Sequence, residues 1–368
     1  MNNEDKKKFI INVHKEFMSA RPYDDSFSIE RMKEKEELFW KRYESLFCEK
    51  LPQKLYKYRK CSEQNIKAFE DDFAWFSTPS EFGDIVDSTL NTDIESELEE
   101  IEKNPAPHIK RISTAIINVM LAPYGQSLDE NMLDSVLPLF NENGEVKEED
   151  AKKLLGEKLP EYASDQYAKQ LVNSTQLSNQ EPILESVKGF LNLYLEFNKK
   201  IRNETYVYCM AEENDNLAMW ETYADSASGF CIEYKFDKGT FLGQKMLLNL
   251  FPIYYGEKEQ IKFFDVLVRG LEAKQKINGI SYDDYAKWFL SAYTKDPTYS
   301  FQKEWRIGFT KEMGGCKQSF PFASSIILGE KITDDNKNKL VDIAKRKGIK
   351  VYQRKLNISG SKIILKEI

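Results

Sequence analysis

The sequence predicts an α+β fold: a mixed sheet core that carries an N-terminal helical segment and a helical insertion. Three observations lead there. Aromatic-rich runs of strand length fall in two separate blocks, near 55–76 and again from 205 onward. Between them, residues 90–205 are rich in Glu, Lys, Leu and Asn, with apolar residues at helical spacing. Hydrophobic residues make up 41% of 368 positions and aromatics 13%, enough for a substantial core. The strands therefore come from both ends of the chain. It divides as 1–49 (N-terminal helices), 50–90 with 205–368 (core) and 91–204 (insertion).

Taken in order, 4–20 and 29–49 have helical spacing, with Phe9, Val13 and Phe17 on one face and Leu38, Tyr43 and Phe47 on another. Leu55–Arg59 and Phe73–Phe76 read as strands, with a helix between them from the N-cap-like Ser62 to Glu70. Ser77-Thr78-Pro79 ends the second strand. Within the insertion, NENGEVKEED (141–150) has the texture of a calcium loop. With Gly144 at the loop's glycine position, however, the first ligand falls on Leu139, so an exposed turn and a helix start are expected. Further strands are expected at 205–210, 229–234, 252–255, 305–309, 325–328 and 350–352. Helical stretches are expected near 258–293 and over 334–347, the latter ending at Gly348.

Composition narrows the function. A formal charge of −7 and a pI near 5.3 argue against a surface built mainly to wrap nucleic acid. Five cysteines without CxxC spacing point to a reducing compartment and no disulfide framework. With only His14 and His108, zinc sites and Ser-His or Cys-His catalysis are poorly supported, and no metal site is expected. The N-terminus is charged and then amphipathic, and no apolar run approaches the roughly 20 residues that cross a bilayer. The expectation is a cytoplasmic protein without a membrane partner.

Four polar-aromatic clusters sit on or just after predicted strands. In Leu55-Tyr-Lys-Tyr-Arg59, Lys57 and Arg59 share one strand face and Tyr56 and Tyr58 the other. Such an arginine can grip a phosphate or carboxylate, or the strand can be an edge whose charges face water. In Phe76–Asp87, Ser77 and Thr78 can bond a ligand or cap the turn. Asp84 and Asp87, three apart, can hold a metal, work as acid and base, or cap a helix. In 217–234, Trp220 and Tyr223 share a helical face that suits either stacking on a planar ring or core packing. Glu233 lies in an apolar strand and needs a partner. In Phe301–Ile307, Glu304 and Arg306 share a strand face. Paired with each other or with Asp84, Asp87 or Glu233, they would fix a catalytic charge or bury an ion pair.

In this order, LYKYR (55–59), FSTPSEFGDIVD (76–87), MWETYADSASGFCIEY (219–234) and QKEWRI (302–307) resemble the motifs of a bacterial family, domain-of-unknown-function family 2971. The resemblance covers roughly 50–90 and 205–355. Where that family carries Asn-Asp-Pro, this chain has Gly83-Asp84-Ile85. The layout in turn looks like the ADP-ribosyltransferase group, which implies a compact split sheet that binds NAD as substrate. Carried over, Arg59 or Lys57 (with Tyr58 beside them) would hold the nicotinamide riboside end with Ser77 or Thr78. Tyr223 or Trp220 would stack on the nicotinamide, and Glu304, held by Arg306, would stabilise the sugar cation or activate the acceptor. Asp84 would face the same site. The resemblance implies an NAD glycohydrolase or transferase acting on a macromolecular acceptor, as a defence or toxin component against phage.

Two other readings stay open. One is a metal-dependent nuclease using Asp84, Asp87, Glu233 and Glu304 with Lys303. The other is a non-enzymatic sensor or partner-binding module whose four clusters are an ion-paired core.

Overall fold

The structure, a computed structural model, describes residues 1–19, 29–82, 87–128, 136–274, 276–277, 280–310, 316–357 and 362–368. Its strands are β1 (Leu55–Arg59), β2 (Phe73–Trp75), β3 (Thr205–Ala211), β4 (Phe230–Tyr234), β5 (Leu250–Pro252), β6 (Tyr254–Tyr255), β7 (Lys276–Ile277), β8 (Ile280–Ser281), β9 (Thr294–Lys295), β10 (Glu304–Thr310), β11 (Lys317–Ser319), β12 (Ala323–Leu328), β13 (Lys350–Asn357) and β14 (Lys362–Glu367). Eight of them form one sheet in the order β14-β13-β12-β4-β1-β3-β10-β5. β12 and β13 run parallel and every other neighbouring pair is antiparallel, so the sheet is mixed and the fold is α+β.

The chain divides into two compact units, Met1–Thr89 with Lys200–Lys258 and Phe289–Ile368, and Leu90–Lys199 with Glu259–Trp288. The first holds the whole eight-stranded sheet. One face of that sheet, with Leu55, Met210, Phe230, Ile232, Trp305 and Ile307, packs against the apolar stripes of helices Asn3–Ser19, Ile29–Phe47, Phe241–Leu248 and Asp334–Lys347. The alternate residues Tyr56, Tyr58, Cys231 and Ile327 face the other way and pack against Trp220. Strand β4 is buried along its whole length, as a central strand covered on both faces should be.

Local chemistry sets the ends of the helices. The side chains of Ser62, Asn216 and Thr333 each accept the backbone N–H three residues on, the N-cap bond. Helix Asp334–Lys347 starts with two aspartates, ends with Lys345-Arg346-Lys347, and stops at Gly348 with φ +67°, all in accord with its dipole and C-cap.

The second unit is helical. Helices Ile94–Lys103, Pro105–Leu121, Glu148–Gly156, Glu161–Thr175 and Phe263–Glu272 belong to it, as does most of Leu177–Glu204. The helical stretch near 258–293 is two helices, Phe263–Glu272 and Tyr282–Ala292, with β7 and β8 paired antiparallel between them. The segment 141–145 is a turn: Asn141 Oδ1 accepts the N–H groups of Asn143 and Glu145, and Gly144 takes φ +82°. Helix Glu148–Gly156 begins three residues later. No described helix is long and apolar enough to cross a membrane.

Candidate functional site

The sheet is split near its middle. β1 meets β3 at a single residue pair, Tyr56 with Ala211, whereas β3 stays paired with β10 over its whole length. The edge of β3 that β1 abandons is taken up by Ser77, which exchanges both backbone hydrogen bonds with Val207 (3.1 Å and 2.9 Å). In the fork, the Lys57 amine donates to the Cys209 carbonyl at 2.6 Å.

Beside the fork, in the same unit, lies a buried charge cluster built on the first residues of β10. Arg306 is 1% exposed and satisfies two carboxylates at once. Its Nη1 and Nη2 donate to the two oxygens of Asp87 at 2.6 Å and 2.7 Å, and its Nε donates to Glu304 Oε1 at 2.6 Å. Ser88 Oγ accepts a further bond from Nη1 at 2.9 Å. Lys295, next to Tyr299, reaches Glu304 at 3.3 Å, Asp87 at 3.5 Å and Gln302 Oε1 at 3.0 Å. Gln302 passes the chain of bonds on to the Tyr223 hydroxyl at 2.9 Å. The backbone N–H of Glu304 donates to the Tyr255 hydroxyl at 2.8 Å. Two cations and two anions leave the cluster neutral, which is what lets it stay out of water.

The electrostatics follow from those contacts. Burial alone would raise the carboxyl of Glu304, but Arg306 and Lys295 outweigh it and hold the group at about 2. Asp87 is likewise pushed up by burial and pulled down further by Arg306 and Lys295, to well below the ordinary carboxylate range. Burial lifts the Cys209 thiol to about 12, with Glu304 adding to the effect. Lys57 moves the other way: burial, then the neighbouring Arg59, lower its amine to about 8.

The sequence-derived candidates fall in different surroundings. Glu304 and Arg306 sit in the cluster, Lys57 lies in the fork within their field, and Tyr223 is tied to them through Gln302 with 41% of its surface exposed. The Arg59 guanidinium lies 5.5 Å from the Tyr208 ring centroid. Tyr58 and Trp220 form a buried T-shaped pair at 5.3 Å; Trp220 is enclosed, its indole N–H given to the Asn214 carbonyl and its face covered by Arg354. Ser77 uses its backbone to extend the sheet, and Thr78 Oγ1 lies 2.8 Å from Ser80 Oγ. Asp84, with Gly83 and Ile85 around it, lies outside the described residues. Glu233 stands apart from Arg306, bonded to Lys54 at 2.9 Å, Ser324 at 2.7 Å and Tyr56 at 3.2 Å. Among the described residues, no three His, Cys, Asp or Glu side chains stand together as a metal site would require.

Lys295, Gln302, Ser88, Tyr255 and Cys209 are the members that pattern reading misses. Lys295 sits on β9, a two-residue strand too short to show any period. Gln302 ends a 3₁₀ helix, and Lys303, at φ +43° and paired with Glu213, turns the chain from it into β10.

Residues 219–307 match the sequence profile of a family described as a protein of unknown function (DUF2971). That span includes Trp220 and Tyr223, β4, Lys295, Glu304 and Arg306; LYKYR and Ser77–Asp87 lie outside it. No curated protein and no solved structure matches the chain.

Proposed function

We propose that the sheet-bearing unit binds a nucleotide of the NAD type and cleaves its nicotinamide–ribose bond, with Glu304 as the fixed carboxylate. The observation that carries this reading is the placement of Glu304: it is held ionised at the start of a rigid strand, with Lys57 and the exposed Tyr223 in reach of the same network. When that bond breaks, its electron pair leaves with nicotinamide and positive charge grows on the sugar. A carboxylate fixed beforehand stabilises that charge without reorganising. Water or an acceptor nucleophile then bonds to the sugar carbon and gives up its proton. Tyr223 offers a ring face to the nicotinamide, and Lys57 with Arg59 offers positive charge to the phosphates.

The test is nicotinamide release from NAD, with and without cell lysate as a source of acceptor. Wild type is expected to release nicotinamide, and Glu304→Gln to lose about a hundredfold or more of the rate while keeping its far-UV circular dichroism. No release under either condition overturns the proposal.

A second reading is favoured by one specific observation. Both carboxylate oxygens of Glu304 are already engaged, one by Arg306 and one by Lys295. A carboxylate so saturated also suits a non-enzymatic binding module with an ion-paired core. Under that reading Glu304→Gln unfolds the protein instead of leaving it folded and inactive.

A further inference from the structure

Lys57 and Arg59 project from alternate positions of β1, and their charged groups lie 4.8 Å and 5.5 Å from the centroid of one ring, Tyr208. The Lys57 amine gives one of its three N–H groups to the Cys209 carbonyl. Neither side chain is within ion-pair distance of a carboxylate among the described residues. The most deeply buried cations of the same unit do have one: Arg306 and Lys295 share Asp87 and Glu304, and Lys6 meets Glu212. Two half-buried cations on one ring, with no carboxylate at ion-pair distance among the described residues, repel each other, and an anion set between them removes that repulsion. The donor set suits phosphate: a planar guanidinium that can bond two oxygens, beside a compact ammonium with N–H groups to spare.

We propose that Lys57 and Arg59 form a grip for a phosphate or pyrophosphate group, and that filling it draws a proton onto Lys57. The choice of a nucleotide as ligand rests on the NAD reading above; the chemistry of the grip does not. The groups facing Lys57 are Arg59 on its own strand, Tyr208 and Cys209 on β3, and Glu304 and Arg306 on β10. Burial and Arg59 hold its amine at about 8, so it is largely charged at pH 7 and largely neutral at pH 9. A bound anion cancels the influence of Arg59 and raises that value again. Binding therefore takes up a proton above pH 8, and affinity falls as pH rises.

The test is calorimetric titration of the whole chain with ADP, whose phosphates are fully ionised above pH 8, in two buffers of different ionisation enthalpy. NAD is titrated in parallel. The expected result is ADP binding with uptake approaching one proton at pH 9, and an affinity roughly tenfold weaker at pH 9.5 than at pH 8. Lys57→Met is expected to abolish the uptake and weaken ADP at least tenfold, and Arg59→Met to weaken it similarly. Lys57→Met is also expected to keep the far-UV circular dichroism of wild type and a single cooperative urea transition, the lost bond to the Cys209 carbonyl being offset in part by removal of a cation that Arg59 repels, so lost binding is not misfolding. ADP binding with proton uptake but no NAD binding upholds the grip and removes the NAD reading. NAD turnover with no uptake, and with affinity unchanged in Lys57→Met, overturns the grip alone. Failure of wild type to bind ADP at all overturns it outright.

Discussion

Replacing Arg306 with methionine is expected to lower the free energy of urea unfolding by about 3–5 kcal/mol at pH 7, the range for removing one partner of a buried ion pair. Methionine keeps the apolar bulk, so the loss reports charge more than cavity. What remains is Asp87 and Glu304 facing each other with only Lys295 between them, all three at most 8% exposed. Each carboxylate then takes up a proton more readily than in wild type. In the native chain both are held below their unfolded values, so the stability they contribute is fully present above about pH 4.5 and is lost as pH falls through about 2. The difference between variant and wild type should therefore shrink as pH is lowered from 7 to 3. A loss that is small at pH 7, or that does not change with pH, would mean that the four charges are not coupled as their contacts imply. The double variant Asp87→Asn with Arg306→Met should lose less than the sum of the two single changes, since the pair shares two hydrogen bonds and Ser88 bridges them.

Gly229→Ala should cost about 3 kcal/mol or more, through shape alone. A Cβ built at Gly229 lies 2.1 Å from the Arg59 carbonyl oxygen and 2.9 Å from that of Ala224. Both are backbone atoms, so no flexible side chain can yield, and β1 or the turn before β4 must move. That turn is already strained: Asp225, Ser226 and Ala227 all take positive φ (52°, 52° and 64°), a run that L-residues rarely adopt. Moving β1 at Arg59 also moves the candidate grip, so ADP affinity should fall with stability. Gly189→Ala is the control. Nothing lies within 4 Å of its Cβ, it sits inside helix Leu177–Glu204, and the change should leave the protein as stable or up to about 1 kcal/mol more so. Equal unfolding midpoints for wild type and Gly229→Ala would contradict the close approach.

Much of the fold could be read from residues alone because local pattern and local structure agree. β1 and β10 alternate cleanly, the N-cap serine and threonine sit where helices begin, and Gly348 ends one. Legibility falls where elements are short or contacts are long-range. β9, β11 and the helix Phe241–Leu248 carry too few residues for a period to stand out. Spacing on β10 put Glu304 and Arg306 on one face; Arg306 pairs with Glu304 beside it and, across 219 positions, with Asp87, while Glu233 bonds Lys54 instead. Trp220 and Tyr223 share a helical face in the sequence, yet one is enclosed under Arg354 and the other is exposed. Gly229 reads from sequence as a break before a strand. Its tighter constraint, the Arg59 carbonyl against its α-carbon, exists only once β1 and β4 are side by side.

The fork between β1 and β3, with the cluster on β10, is the proposed nucleotide site. A crystal structure of the protein with ADP-ribose tests it most directly. The pyrophosphate is expected against Lys57 and Arg59, with the ribose that carried nicotinamide turned towards Glu304 and Tyr223. ADP-ribose bound elsewhere would contradict it, for instance in the 360 Å³ cavity lined by Lys60, Cys61, Ser62 and Asn336. So would a fork left empty at saturating ligand.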